Sequence, residues 1–167
     1  RIAQSMEDGL LILYYQEIIP VAAGLEDDEG PRHIEILLRI RDAEGRHLRP
    51  EAFLSSAERY NLMPDLDRWV VRNSFEWFNQ HSFGDHLQMS INLSGLTLSD
   101  SEFPSTVKRL LKEYNVPPAS VCFEVTETAA IASLAIAADF MAELKALGCR
   151  FSLDDFGSGL SSFAYLK

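Results

Sequence analysis

Apolar residues recur along this chain with two periods in alternation. The short strand-like runs are LLILYYQEI (10–18), rich in Leu, Ile and Tyr, and IEILLRI (34–40), QMSINLS (88–94), SVCFEVTE (120–127) and CRFSLDDF (149–156). Each predicts a strand. Between them lie longer stretches at helical spacing. PEAFLSSAERY (50–60) predicts a helix with Pro50 at its first position, and another begins at Pro64 with Leu66, Trp69, Val70 and Trp77 on one side. A third starts at Pro104, with Val107, Leu110 and Leu111 spaced as a face. The fourth covers 129–147, with Ala130, Leu134, Ala137, Met141 and Leu144 as a stripe and Gly148 as its stop. Residues 1–8 resemble the last turns of a helix, and 22–32, with Gly, Pro and an acidic run, predict a surface loop. Five strands alternating with helices imply a parallel α/β fold. An eight-stranded barrel needs about 250 residues, so the pattern leaves two architectures open, an open sheet or part of a barrel.

The polar positions sharpen this picture. Four strand segments close on an oxygen-bearing side chain: Glu35, Asn92, Glu124, and the pair Asp154 and Asp155. In a strand–helix repeat, side chains at the strand ends converge on one face. By the period of two, Glu35, Leu37 and Arg39 share a face, opposite Ile34, Ile36, Leu38 and Ile40. Ser90, Asn92 and Ser94 likewise oppose Met89, Ile91 and Leu93. Carboxylates with one amide oxygen suit a hard divalent cation, Mg or Mn rather than zinc. Taken singly, each residue has a plainer explanation. Glu35 is within the same strand face as Arg39 and fits an ion pair, Asn92 fits a loop backbone, Asp154 fits a turn cap, and Trp69 and Trp77 fit a core. His33, His47, His81 and His86 have no metal spacing. Only the joint pattern points to a metal site.

Composition narrows the classes. The 167 residues are 47% hydrophobic and 24% charged, as expected for one globular domain. A net charge of −10 argues against binding a nucleic-acid polymer, which needs a basic stripe. No apolar run reaches the roughly 18–20 residues that span a bilayer, so no membrane insertion is expected of this segment, and no secretory signal is visible. Cys122 and Cys149 sit in apolar strand contexts and read as buried thiols of a reducing compartment. These features imply a cytoplasmic domain, either free or as the cytoplasmic portion of a membrane-anchored protein.

The motifs YYQEI (14–18), EILLR (35–39), PEAFLSSAERYNLMP (50–64), DRWV (67–70), INLSG (91–95), FEVTET (123–128) and LDDFGSGLSSFAYLK (153–167) occur in the order of one family. Through them the chain resembles the EAL domain, the bacterial phosphodiesterase that cleaves cyclic di-GMP to linear pGpG. The resemblance implies a TIM-like (β/α) barrel with one antiparallel strand, incomplete in this chain. It implies that Glu35, Asn92, Glu124 and Asp154 ligate a first metal and Asp155 a second, with Glu35, Asp154 and Asp155 catalytic. One or two ions, Mg or Mn, would be bound. Gln16, Leu37 and Arg39 match residues that contact or pack beside cyclic di-GMP, and Glu127 matches a glutamate that stabilises the loop after the DD strand. By the same resemblance, the loop after Asp155, Phe156 to Ser162, supports a homodimer, and fusion to sensory or GGDEF domains is expected.

Two positions depart from the family pattern. Ile36 stands where alanine is usual, and Glu17 where proline is usual. Both are expected on the face opposite Glu35 and Gln16, so neither touches the metal site. The family also has a lysine about twenty residues beyond the DD pair and a later glutamate, which lie past Lys167. The 167 residues alone are therefore expected to hydrolyse cyclic di-GMP poorly or not at all. Two functions follow. One is a cyclic di-GMP phosphodiesterase in the complete domain, favoured because the first metal's ligands are retained. The alternative is a noncatalytic cyclic di-GMP receptor or interaction module.

Overall fold

The computed structural model describes residues 8–19, 30–132 and 134–154. Residues 1–7 of the helix end expected over 1–8, most of the 22–32 loop, Asp155 and everything after it lie outside the described residues, and Asp8 stands in a turn.

The strands form one mixed sheet. β1 (Leu11–Ile18) pairs antiparallel with β2 (Arg32–Arg41), and β2, β4 (Leu87–Asn92), β5 (Val121–Thr126) and β6 (Arg150–Asp154) run parallel in that order. A two-residue strand, β3 (His47–Leu48), pairs antiparallel with the end of β2. It is too short to leave a periodic signal, and so the sequence predicts five strands where the described residues hold six. Between the parallel strands lie α1 (Leu54–Arg59), α2 (Met63–His81), α3 (Phe103–Glu113), α4 (Glu127–Ala132) and α5 (Leu134–Ala146). A parallel pair needs such crossovers, because a tight turn cannot return the chain to the same end. This is the TIM-like α/β architecture with an antiparallel strand that the sequence implies.

Two helix expectations change in detail. The helix over 50–60 starts as a 3-10 turn, Pro50–Ala52, and Phe53 leaves helical geometry at φ −139°, ψ −20° before α1 begins. Its ring is buried with Leu11, Ile40, Met63 and Leu66 in a second, smaller core, so packing sets the break. The span 129–147 is covered by α4 and α5. Ala137 and Leu144 are buried on its stripe as expected, with Phe140 joining them, whereas Leu134 at the first residue of α5 is exposed. Gly148 ends α5 at φ 101°, a left-handed position that favours glycine.

The main core lies between one face of the sheet and the helices. Ile34, Met89, Ile91, Val121 and Phe123 meet Val71, Phe75 and Phe78 of α2 and Val107 and Leu110 of α3. Ile36 belongs to this layer, so its departure from the family's alanine is a packing change. Glu17 also faces away from the polar side, and it pairs with Arg32 at 2.8 Å. That guanidinium, hydrogen-bonded to the carboxylate, holds Glu17 below its usual carboxylate range.

Candidate active and metal site

The polar face is built by register. Antiparallel pairing sets Gln16 opposite Glu35 and Tyr14 opposite Leu37. Parallel pairing then sets Glu35 beside Ser90, Asn92 beside Glu124, Glu124 beside Ser152, and Thr126 beside Asp154. Register partners share a face, so Gln16, Glu35, Asn92, Glu124 and Asp154 all lie on the side of the sheet away from the main core. Asn92, Glu124 and Asp154 stand at or near the carboxyl ends of their strands, where barrel folds place their sites.

Asn92 Nδ2 donates to Glu35 Oε1 at 2.9 Å. Ser152 Oγ donates to Glu124 Oε1 at 3.1 Å. Two carboxylates thus flank one amide across three adjacent strands, and Asp154 stands two residues beyond Ser152 along β6, on the same face. Among the described residues, no three His, Cys, Asp or Glu side chains close into a ready-made cage. The donor set is nonetheless all oxygen once the amide oxygen of Asn92 is counted, which is the chemistry of a hard cation. Cys122 does not compete. Burial pushes its thiol up, and it pushes Cys149 up to about 12, so both free thiols are protonated at neutral pH.

Beside these groups is a cavity of about 350 Å³ whose walls include Leu37, Asn92, Glu124 and Thr126 on one side and Leu66 and Asp67 on the other. That volume suits a small ligand. Arg39 lies on the polar face but does not pair with Glu35. Its Nη1 donates to the Leu38 carbonyl at 2.7 Å, and its guanidinium lies 5.4 Å from the Tyr14 ring centroid. The ring face attracts the cation, and the Tyr14 hydroxyl in turn bonds His47 Nδ1. The structure therefore replaces the Glu35–Arg39 pair with two separate contacts, because four strand residues place their side chains about 13 Å apart.

Of the other expected site residues, Gln16 is exposed on β1 and Leu37 half-buried against the cavity. Glu127 opens α4, and its side chain lies outside what is described, as does Asp155. Sequence reasoning missed three contributors. His33, given no role, hydrogen-bonds Ser90 Oγ at 2.8 Å, directly beside Glu35 in register. Tyr14 holds Arg39. Asp67, inside DRWV, is 5% exposed and accepts from the Ser94 backbone N–H at 2.8 Å and the Thr97 hydroxyl at 2.5 Å. Burial raises its carboxyl from 3.8 to about 6, against the pull of those hydrogen bonds. The signal was available, since Asp67 falls on the stripe of Met63, Val70, Val71 and Ser74 that α2 buries.

The profile of the family described as EAL domain matches residues 1–167. The chain is 40% identical over 169 residues to the cyclic di-GMP phosphodiesterase PdeB of Shewanella oneidensis, covering 100% of this chain and 19% of that protein. It is 31% identical over 169 residues to the cyclic di-GMP phosphodiesterase PdeF of Escherichia coli, covering 100% and 22%. The chain thus spans about a fifth of the length of these relatives. The FimX EAL domain of Pseudomonas aeruginosa, solved bound to c-di-GMP, superposes with a TM-score of 0.87 at 27% identity, over 99% of this chain and 64% of that one. No helix among the described residues is long and apolar enough to cross a membrane.

Proposed function

Because the chain belongs to the EAL domain family, we propose that it is the phosphodiesterase part of a protein that hydrolyses cyclic di-GMP to linear pGpG with Mg or Mn. EAL phosphodiesterases are metal-dependent as a class. The observation that carries the proposal is the alignment of Glu35, Asn92 and Glu124 on three neighbouring strands beside a ligand-sized cavity. Two relatives named as cyclic di-GMP phosphodiesterases support it.

In this proposal Glu35, Asn92, Glu124 and Asp154 hold the first cation and Asp155 a second. A bound divalent cation supplies Lewis acidity at the scissile phosphate and the attacking water. The chain's own groups do the rest. Asn92 lets the three carboxylates approach a common point without adding a fourth negative charge. Arg39, kept on the polar face by Tyr14, offers its planar fork to a phosphate through parallel hydrogen bonds. Gln16 presents its amide from the strand beside Glu35, and Leu37 packs against the ligand. Glu127 steadies the loop after Asp155, and that loop carries a homodimer contact. Fused sensory or GGDEF domains in a cytoplasmic setting set the regulation.

A noncatalytic receptor is the second reading, favoured by the FimX EAL domain having been solved bound to c-di-GMP. One experiment separates them. The complete protein is incubated with cyclic di-GMP and Mg or Mn, and the products are resolved by chromatography. Metal-dependent pGpG is expected. Tight binding with no pGpG would leave the receptor.

A further inference from the structure

Asp67 lies on the buried stripe of α2 beside Leu66, Val70 and Val71. A carboxylate in such a place is unfavourable unless its oxygens are bonded, and an apolar side chain would serve the stripe as well. What the carboxylate adds is an acceptor for the segment that follows Asn92. Oδ2 takes both the Ser94 N–H and the Thr97 hydroxyl. Ser94 Oγ and Thr97 Oγ1 lie 3.0 Å apart, and the Thr97 N–H donates to the Ser94 carbonyl at 3.2 Å, closing a turn. Leu93, between Asn92 and Ser94, donates its N–H to the Glu124 carbonyl at 2.8 Å. β4 ends at Asn92. The chain is therefore pinned immediately beyond that residue at two consecutive amides, one to the strand that bears Glu124 and one to α2. Arg68 does not neutralise Asp67, since its guanidinium bonds Asp65 and Asp100.

We infer that Asp67 is a positioning residue for Asn92, holding the Ser94 amide so that the Asn92 side chain stays beside Glu35 and Glu124 in a cation-binding arrangement. The inference rests on the metal-site reading above. Groups that orient metal ligands from behind change metal affinity by about 10–100-fold when removed.

The test is a Mn²⁺ titration of the complete protein followed by electron paramagnetic resonance. Thermal midpoint and cyclic di-GMP affinity in EDTA are measured alongside. Asp67→Ala should weaken Mn²⁺ binding by about 10–100-fold, a larger factor than any loss of metal-free cyclic di-GMP affinity. Asp67→Asn keeps one oxygen that can accept both bonds and should recover most of the loss. Unchanged Mn²⁺ affinity in Asp67→Ala overturns the inference. So does an equal loss of metal-free cyclic di-GMP binding, which marks a purely structural role. If Asp67→Ala does not fold, Thr97→Val removes one of the two bonds. Weaker Mn²⁺ binding is then expected, and parent-like binding overturns the inference. Asn92→Ala separates the two levels. If it leaves Mn²⁺ affinity intact, the metal-site reading itself fails. If it weakens binding while Asp67→Ala does not, only the positioning role fails.

Discussion

Phe123 and Glu124 are successive residues of β5, and they live in opposite surroundings. Phe123 is fully buried, edge-on to Phe103 at a centroid distance of 6.3 Å and tilted against Phe151 at 5.8 Å. Glu124 is half-buried across the strand, accepting from Ser152 and lining the cavity beside Asn92. The same alternation holds in β2 for Ile34 and Glu35, and in β4 for Ile91 and Asn92. One face of the sheet is closed by helices and holds the molecule together by excluding water. The other collects oxygens whose lone pairs are only partly used within the chain. Stability and chemistry are thereby separated by one residue step, and substitutions on the two faces should fail in different ways.

The largest expected effect is on the core face. Phe123→Ala should destabilise the fold by about 3–5 kcal/mol through lost burial and the cavity left behind. Urea unfolding measures this, and a loss below about 1 kcal/mol would mean that the core face is not the stabilising one. On the polar face, Glu35→Gln should leave the unfolding midpoint near the parent's while cutting pGpG production by about 100–1000-fold, the scale of losing one group that acts on the transition state. Full turnover would make Glu35 structural and collapse the contrast.

Asp67 crosses the boundary, because it is buried with the core yet bonded to the loop of the polar face. Its folded-state carboxyl titrates above the unfolded one, near 6 rather than 3.8. Between those values the folded protein retains a proton that the unfolded chain has released. The stability this group contributes is complete below about pH 4 and is lost as pH rises to about 6, by up to about 3 kcal/mol. The unfolding free energy of Asp67→Asn relative to the parent should therefore increase across that window. A pH-independent difference would mean that Asp67 titrates as an ordinary surface acid. The smallest effect is expected at the rim, where Arg39→Lys keeps the charge but not the fork. Cyclic di-GMP affinity should fall by about 1–2 kcal/mol by calorimetry. Equal affinities would remove Arg39 from the ligand contacts.

Much of the architecture is local in origin, and that is why it was legible beforehand. A period of two marks a half-buried strand wherever it lies, so β2, β4, β5 and β6 and the polar or apolar identity of each face could be read from IEILLRI, QMSINLS, SVCFEVTE and CRFSLDDF. The motif order fixed the family, and with it the expectation that Glu35, Asn92, Glu124 and Asp154 stand together at strand ends. Contacts between segments could not be read in this way. Whether Glu35 meets Arg39 or Asn92 depends on the register of β2 against β4, which no property of either strand alone specifies. His33 looked idle until Ser90 was placed beside it. Asp67 looked like one charge in a helix until α2 was laid against the end of β4, and β3 exists only because its two residues meet β2. Periodicity is a property of neighbours in sequence. Hydrogen-bond partners and burial are properties of neighbours in space, decided when the crossovers bring residues tens of positions apart to within 3 Å.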